Sequence, residues 1–202
     1  MQGFRFCDLL LSLEKYQEVL DRARTTVNIA QAEKWLLYIA LDQLTIGKAL
    51  MLLENFSEAP VPSYVEAEDY LKQAVDGLWK AGIQDILPRG LIARAALYRY
   101  KEEFIKSWED IDESKQIAEY GQMKLHLTDY HLEACRVIKV QLVKTATNYE
   151  IIEDGETLSL TKEQMEARFK EHFKEAERLI QDTGYHRRDK ELEELREFLL
   201  QI

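Results

Sequence analysis

Residues 87–121 constrain this chain more than any other stretch, because they prescribe two amphipathic helices and the turn between them. Pro88 suits a first helical turn, where its missing N–H has no partner to lose. Small Ala93, Ala95 and Ala96 admit a close second helix, while Leu91, Leu97 and Tyr98 supply an apolar stripe. Lys101 to Glu103 break that stripe. Phe104, Trp108, Ile111, Lys115 and Ala118 resume it at three- and four-residue spacing, and Gly121 stands where a left-handed cap would end the second helix.

The same grammar runs through the rest of the chain. Phe4, Phe6, Cys7, Leu10, Leu11 and Leu13 predict a first helix, and Tyr16, Val19, Leu20, Ala23, Val27 and Ala30 its partner after a break at Glu14 and Lys15. A longer helix is expected over 35–54. Gly47 inside it costs close to 1 kcal/mol relative to alanine unless a neighbouring helix approaches closely there. Residues 55–62, with Pro60 and Pro62, read as a loop, after which Ser63 and Glu66 fit a capping box and Gly82 closes the next helix.

Residues 123–144 predict another helix. From Asn148 to Leu160 the period switches from helical to alternating, and Asp154-Gly155 between the two runs predicts a β-hairpin. Its acidic tip, residues 153–156, is expected to project as a surface addition whose removal leaves the fold intact. Thr161 and Gln164 form a second capping box, Gly184 ends the helix they open, and a last helix from about Asp189 covers the end.

Composition narrows the function classes. A balance of 27 basic to 37 acidic side chains gives a net charge of −10, and no basic tract offsets it, which argues against nucleic-acid or anionic-membrane binding. Cys7 and Cys135 are far apart, without metal-ligand or redox spacing, and are expected to be buried free thiols in an intracellular, cytoplasmic protein. The N-terminal residues contain no apolar run of signal-peptide or membrane-spanning length. The abrupt start suggests a compact small protein or a piece of a longer chain.

Gly82 and Gly121 occupy equivalent helix ends, as Ala95 and Ala134 occupy equivalent first-helix positions, in both cases 39 positions apart. Small residues recur (Gly47, Ala95, Ala134) with a large one three later (Leu50, Tyr98, Val137), and an aromatic recurs at the turn (Tyr16, Phe104). This pattern resembles the tetratricopeptide repeat, without that family's helix-one tryptophan or closing proline, and with a period longer than its ~34 residues. The runs at 4–11, 39–50, 87–98 and 182–189 are similar to the C-terminal repeat region of large bacterial signalling ATPases of the NACHT and related STAND types. No Walker motif is present, so only the sensor or scaffold role carries over from that resemblance.

The expected fold is therefore all-α: a tetratricopeptide-like α-α superhelix forming one domain over 1–202. It comprises about four helical pairs (2–33, 34–82, 85–121, 122–184), a cap over 188–201 and an inserted hairpin near 149–160. The resemblance implies a concave groove lined by first-helix residues. Projection of the family's pattern places Lys48, Arg89, Arg99, Tyr100, His131 and Lys139 in it, alongside Leu44, Met51, Ile92 and Ile138. Such a surface would suit a peptide with carboxylates and apolar anchors, or its cations would simply bridge neighbouring acidic helices.

His186, Arg187 and Arg188 form a second polar cluster, either an anion grip or a helix connector capped by Asp189. His126, His131 and Glu133 do not share one helical face, so no metal site is expected, and no cofactor motif occurs. Acidic pairs such as Asp110 with Asp112 read as solvated surface. The functional expectation is a noncatalytic protein- or peptide-binding scaffold. The alternatives are a helical enzyme with a pocket between repeats, for which no convergent nucleophile and base are found, or a homo-oligomerisation module.

Overall fold

Nine α-helices, one 3-10 turn and one hairpin follow each other among the described residues, which in this computed structural model are 2–56, 63–145 and 148–202. The helices are α1 (Gln2–Ser12), α2 (Tyr16–Ala32), α3 (Leu36–Asn55), α4 (Val65–Ala81), α5 (Leu87–Tyr100), α6 (Phe104–Tyr120) and α7 (Lys124–Lys144). After them come β1 (Tyr149–Glu153), β2 (Glu156–Leu160), α8 (Lys162–Thr183), the 3-10 turn His186–Arg188, and α9 (Asp189–Leu199). The all-α class with a small two-stranded addition is thus as expected from the periodicity.

Short turns built alike connect several of these rods. Glu14, Lys34, Glu102 and Gln122 all take left-handed backbone, at φ of 59°, 57°, 59° and 52°. The residue after three of them donates its N–H to a carbonyl five positions back: Lys15 to Leu10 at 3.0 Å, Trp35 to Ala30 at 2.9 Å and Met123 to Ala118 at 2.8 Å. This is the six-to-one closure that satisfies orphan carbonyls at a helix end. It corrects the expectation for Gly121, whose φ is −83°; Gln122 carries the left-handed conformation instead. Gly82 and Gly184, at φ of 69° and 68°, do cap as expected.

The turns also disclose an internal repeat. The helix Tyr16–Ala32 reappears as Phe104–Tyr120, its start moving from 16 to 104 and its end from 32 to 120, a constant shift of 88. The following helix start moves likewise, from 36 to 124.

The chain divides into two compact units, Met1–Lys101 and Glu102–Ile202. In the first, α3 touches α1, α2, α4 and α5. That central place explains why α3 is apolar on every side, enough in length and composition to cross a membrane, with a mean hydropathy of 1.5. Its buried residues include Ala40, Leu41, Leu44, Ile46, Gly47, Ala49 and Leu50. Two glycines set the α3–α4 spacing: a Cβ on Gly47 would meet Leu71 Cγ at 2.7 Å, and one on Gly77 would meet Ala40 Cβ at 2.8 Å. Close approach of a partner helix at Gly47 is therefore the compensation that the sequence required.

At the head of α4 the expected Ser63–Glu66 capping box is not formed. Tyr64 is the cap residue, held at φ 53° with its N–H donated to the Glu54 carboxylate, its ring buried and stacked 6.1 Å from that of Tyr100. Glu66 turns instead to Arg24 of α2 at 3.3 Å. Of the loop expected over 55–62, residues 57–62 lie outside those described.

In the second unit α7 packs on α6, α8 and α9, and Leu192, Leu195 and Phe198 of α9 are buried, with Phe198 edge-on to Phe169 at 5.2 Å. The Thr161–Gln164 capping box forms in both directions. The hairpin pairs Tyr149 with Leu160 through Glu153 with Glu156. It does not project. Tyr149 and Ile151 are buried, β1 lies on α6, and both Asp112 carboxylate oxygens accept backbone N–H groups of the tip, from Asp154 at 2.8 Å and Gly155 at 2.9 Å. Lys115 holds Asp154 at 2.9 Å and Arg168 holds Glu153 at 2.7 Å. Gln141 links the layers, accepting from the Trp108 indole at 3.0 Å and donating to the Glu150 carbonyl at 3.0 Å. Asp110 and Asp112 are accordingly buried, not the solvated pair that their sequence suggested.

Candidate functional site

The polar stripe of α2, at Glu18, Asp21, Arg22, Thr25 and Thr26, recurs at helical spacing and, with Ile29, floors a cleft of about 660 Å³ in the first unit. The amino-terminal turns of α1 wall it on one side with Gly3, Phe4, Phe6 and Cys7, and on the other α3 does so with Tyr38, Leu41, Asp42 and its cap residue Trp35. The left-handed turns at Glu14 and Lys34 fold both neighbours back along α2, which is what leaves a trough above it. A volume of this size lies within the range of ordinary ligand pockets.

Apolar surface is plentiful around it. Phe6, Ile29, Trp35 and Tyr38 are 44%, 54%, 51% and 42% exposed. Phe6 and Leu9 on α1 and Leu13 just after it are exposed, whereas Cys7, Leu10 and Leu11 of the helix are buried. The Trp35 and Tyr38 rings meet at 5.7 Å with planes 55° apart, leaving an open corner.

Arg22 crosses the trough, pairing with Glu18 at 3.0 Å and lying 5.0 Å over the Phe6 ring. Asp21 accepts from Gln17 at 3.0 Å. Burial raises the Asp42 carboxyl above its ordinary value, against the opposing effect of the Thr26 hydroxyl hydrogen-bonded to it. Burial likewise raises the Cys7 thiol, with the charge of Asp42 adding to it, so the thiol stays protonated at neutral pH.

The residues projected for a basic groove have partners within the fold. Lys48 and Arg89 converge on Asp8, a buried carboxylate of α1, Lys48 at 3.0 Å. Burial alone would raise the Asp8 carboxyl, but these two cations outweigh it and hold it below the ordinary range. Arg89 also lies 4.9 Å over the Phe4 ring, and Arg99 lies 4.4 Å over Tyr100. Bridging within the fold, the alternative weighed for these cations, describes Lys48 and Arg89 well.

In the second unit, His131 Nδ1 lies 2.9 Å from His172 Nδ1, with the Tyr130 ring edge-on to both. Burial depresses both imidazoles, His131 to about 4 and His172, further lowered by its neighbour, to about 3. Both rings are therefore neutral at pH 7, and one donates to the other. Lys139 lies 5.5 Å over Phe198.

In the His186–Arg188 cluster the cap residue of α9 is Arg188, not Asp189 as the connector reading had it. His186 meets Asp189 at 3.1 Å, and Arg188 pairs with Asp129 at 2.8 Å and with Glu191. Arg136 joins Glu191 to the buried Glu133, so Arg188 belongs to an internal ion-pair chain. No group of three metal-ligating side chains gathers among the described residues.

The sequence did carry a sign of the cleft that periodicity alone misses. Residues 4–13 hold more apolar side chains than one helix face can bury, and the run Trp35-Leu36-Leu37-Tyr38 puts aromatics on an uncovered side.

The class so defined is an all-α protein bearing one clasped hairpin. No protein-family model matches the chain, and neither a curated protein nor a solved structure does.

Proposed function

We propose that this chain is a noncatalytic scaffold of tetratricopeptide-like helical pairs, arranged as an α-solenoid, that binds a segment of a partner protein in the α1–α2–α3 cleft. The observation that carries it is the cleft itself, an apolar trough with exposed Trp35 and Tyr38 at its mouth. Tryptophan and tyrosine are the residues that most often anchor protein interfaces. First helices that neighbour one another, α1 with α3 and α3 with α5, support the repeat arrangement within the first unit. Buried free thiols at Cys7 and Cys135 suit a reducing, cytoplasmic setting. The resemblance to signalling ATPase repeat regions makes a sensor or interaction role within a larger assembly the corresponding biological setting.

Selection of phage-displayed random peptides on the purified chain tests this. Enriched peptides should lose at least about tenfold in affinity on Trp35→Ala or Ile29→Ser, about 1.4 kcal/mol, with the melting temperature unchanged. No enrichment, or binding indifferent to both substitutions, overturns it.

A further inference from the structure

We propose that the α1–α2–α3 cleft seats a basic side chain, arginine or lysine, presented by a partner peptide between apolar neighbours. The inference rests on the cleft being the peptide site and adds the charge of what enters it. It reverses the acidic partner that the projected groove implied.

Three acids line the cleft, Glu18, Asp21 and Asp42, against one cation, Arg22, which leaves two negative charges in excess. Arg22 is already engaged with Glu18 and with the Phe6 face. Asp42 is different. Half-buried on the third helix, it has a hydroxyl partner, Thr26, and feels the charge of the amino terminus, while among the described residues no lysine or arginine side chain pairs with it. That hydroxyl also lies 3.2 Å from the Arg22 and Ala23 carbonyls, so its one hydrogen is shared. A partly desolvated carboxylate that no side-chain cation meets carries a cost that an incoming ammonium or guanidinium would relieve.

The approach to Asp42 has the chemistry of a long basic side chain. Trp35 is the cap residue of α3, and Tyr38 and Asp42 follow four residues apart on one face of that helix, so the path runs from aromatic to aromatic to acid. An aliphatic stem fits the first part and a charged head the last. Open ring faces at the Trp35–Tyr38 corner attract a cation in transit, and Arg22 over Phe6 already displays that contact on the opposite wall. The positive end of the α3 dipole opposes a cation but fades within the first turn, whereas Asp42 stands in the second.

Three immobilised peptide libraries test the proposal on the intact chain, each with randomised apolar residues flanking a fixed centre of arginine, of citrulline or of glutamate. Citrulline keeps the shape of arginine without its charge. The arginine library should be retained about tenfold over citrulline and more over glutamate, and Asp42→Asn should bring arginine and citrulline level. Retention of citrulline equal to that of arginine by the wild-type chain overturns the charge assignment, even if Trp35→Ala abolishes both and so upholds the cleft. Preference for glutamate overturns it in favour of the acidic partner. If no library is retained, the cleft reading falls and this inference with it. Because the wild-type comparison decides by itself, the test stands whether or not Asp42→Asn folds.

Discussion

Helices α2 and α6 are the same rod used twice, 17 residues each between left-handed turns, yet their surroundings differ. Position 24 of the first corresponds to position 112 of the second under the shift of 88. Arg24 makes an exposed ion pair with Glu66, whereas Asp112 is buried and grips the backbone of the hairpin tip. The second unit has inserted a hairpin and tied it down; the first keeps a trough open beside α2 and, with it, an aromatic rim. A common frame can thus be closed by added strands or left available for an added chain. Structure recruited from within the sequence and structure recruited from a partner are alternative completions of one scaffold.

The comparison is broken most severely by removing the hairpin. Deleting residues 148–160 and bridging the gap should destabilise the second unit by about 3–6 kcal/mol, from the lost burial of Tyr149 and Ile151 together with the stranded Asp112 carboxylate. Chemical denaturation reads this directly, and an unchanged midpoint would restore the view of the hairpin as a surface addition.

Acid separates the two units next. His131 and His172 have depressed folded-state values, so their contribution is complete above the unfolded value of about 6.5 and is lost as pH falls toward about 4. The loss should be on the order of 3 kcal/mol, and His172→Phe should flatten it; melting curves between pH 7 and pH 4, taken on both proteins, decide. Asp8 in the first unit is also held low, by Lys48 and Arg89 against burial, so its contribution persists until pH drops below the ordinary aspartate range. The acid response between neutrality and pH 4 therefore belongs chiefly to the second unit.

A smaller effect is expected at the α3–α4 contact. Gly47→Ala drives a methyl group into Leu71 and should cost about 1–3 kcal/mol, visible as a lowered denaturation midpoint. Smallest is Lys34→Gly, which relieves left-handed strain at φ 57° and should raise stability by about 0.5 kcal/mol after the flexibility of glycine is discounted. A fall in stability would show that the Lys34 side chain, not its backbone, matters at the turn.

Features written locally were legible in the sequence. Apolar spacing marked the helices, Asp154-Gly155 marked the hairpin, Gly82 and Gly184 marked their caps, and Thr161 with Gln164 marked a box that forms as expected. What escaped depends on partners far along the chain. Asp8 meets Lys48 and Arg89 across 40 and 81 positions, and Asp112 meets the hairpin across 42 and 43. No spacing rule distinguishes such a buried acid from a solvated one. Ser63 and Glu66 matched a capping pattern, but Tyr64 gained more from burial against Tyr100, and the chain entered its helix by another route. The shift of 88 was hidden because backbone geometry repeats there while side chains do not. The cleft is legible only as a surplus, apolar residues beyond what one face can bury.

The reciprocal seats of Gly47 on Leu71 and Gly77 on Ala40 also govern how this protein can diversify. Bulk gained on one rod has to be surrendered across from it, so tolerated change at these four positions arrives in compensating couples. Leu71→Ala would license Gly47→Ala, which alone is penalised. Lineages descending from this chain should carry the two residues as a linked character, inherited or exchanged together.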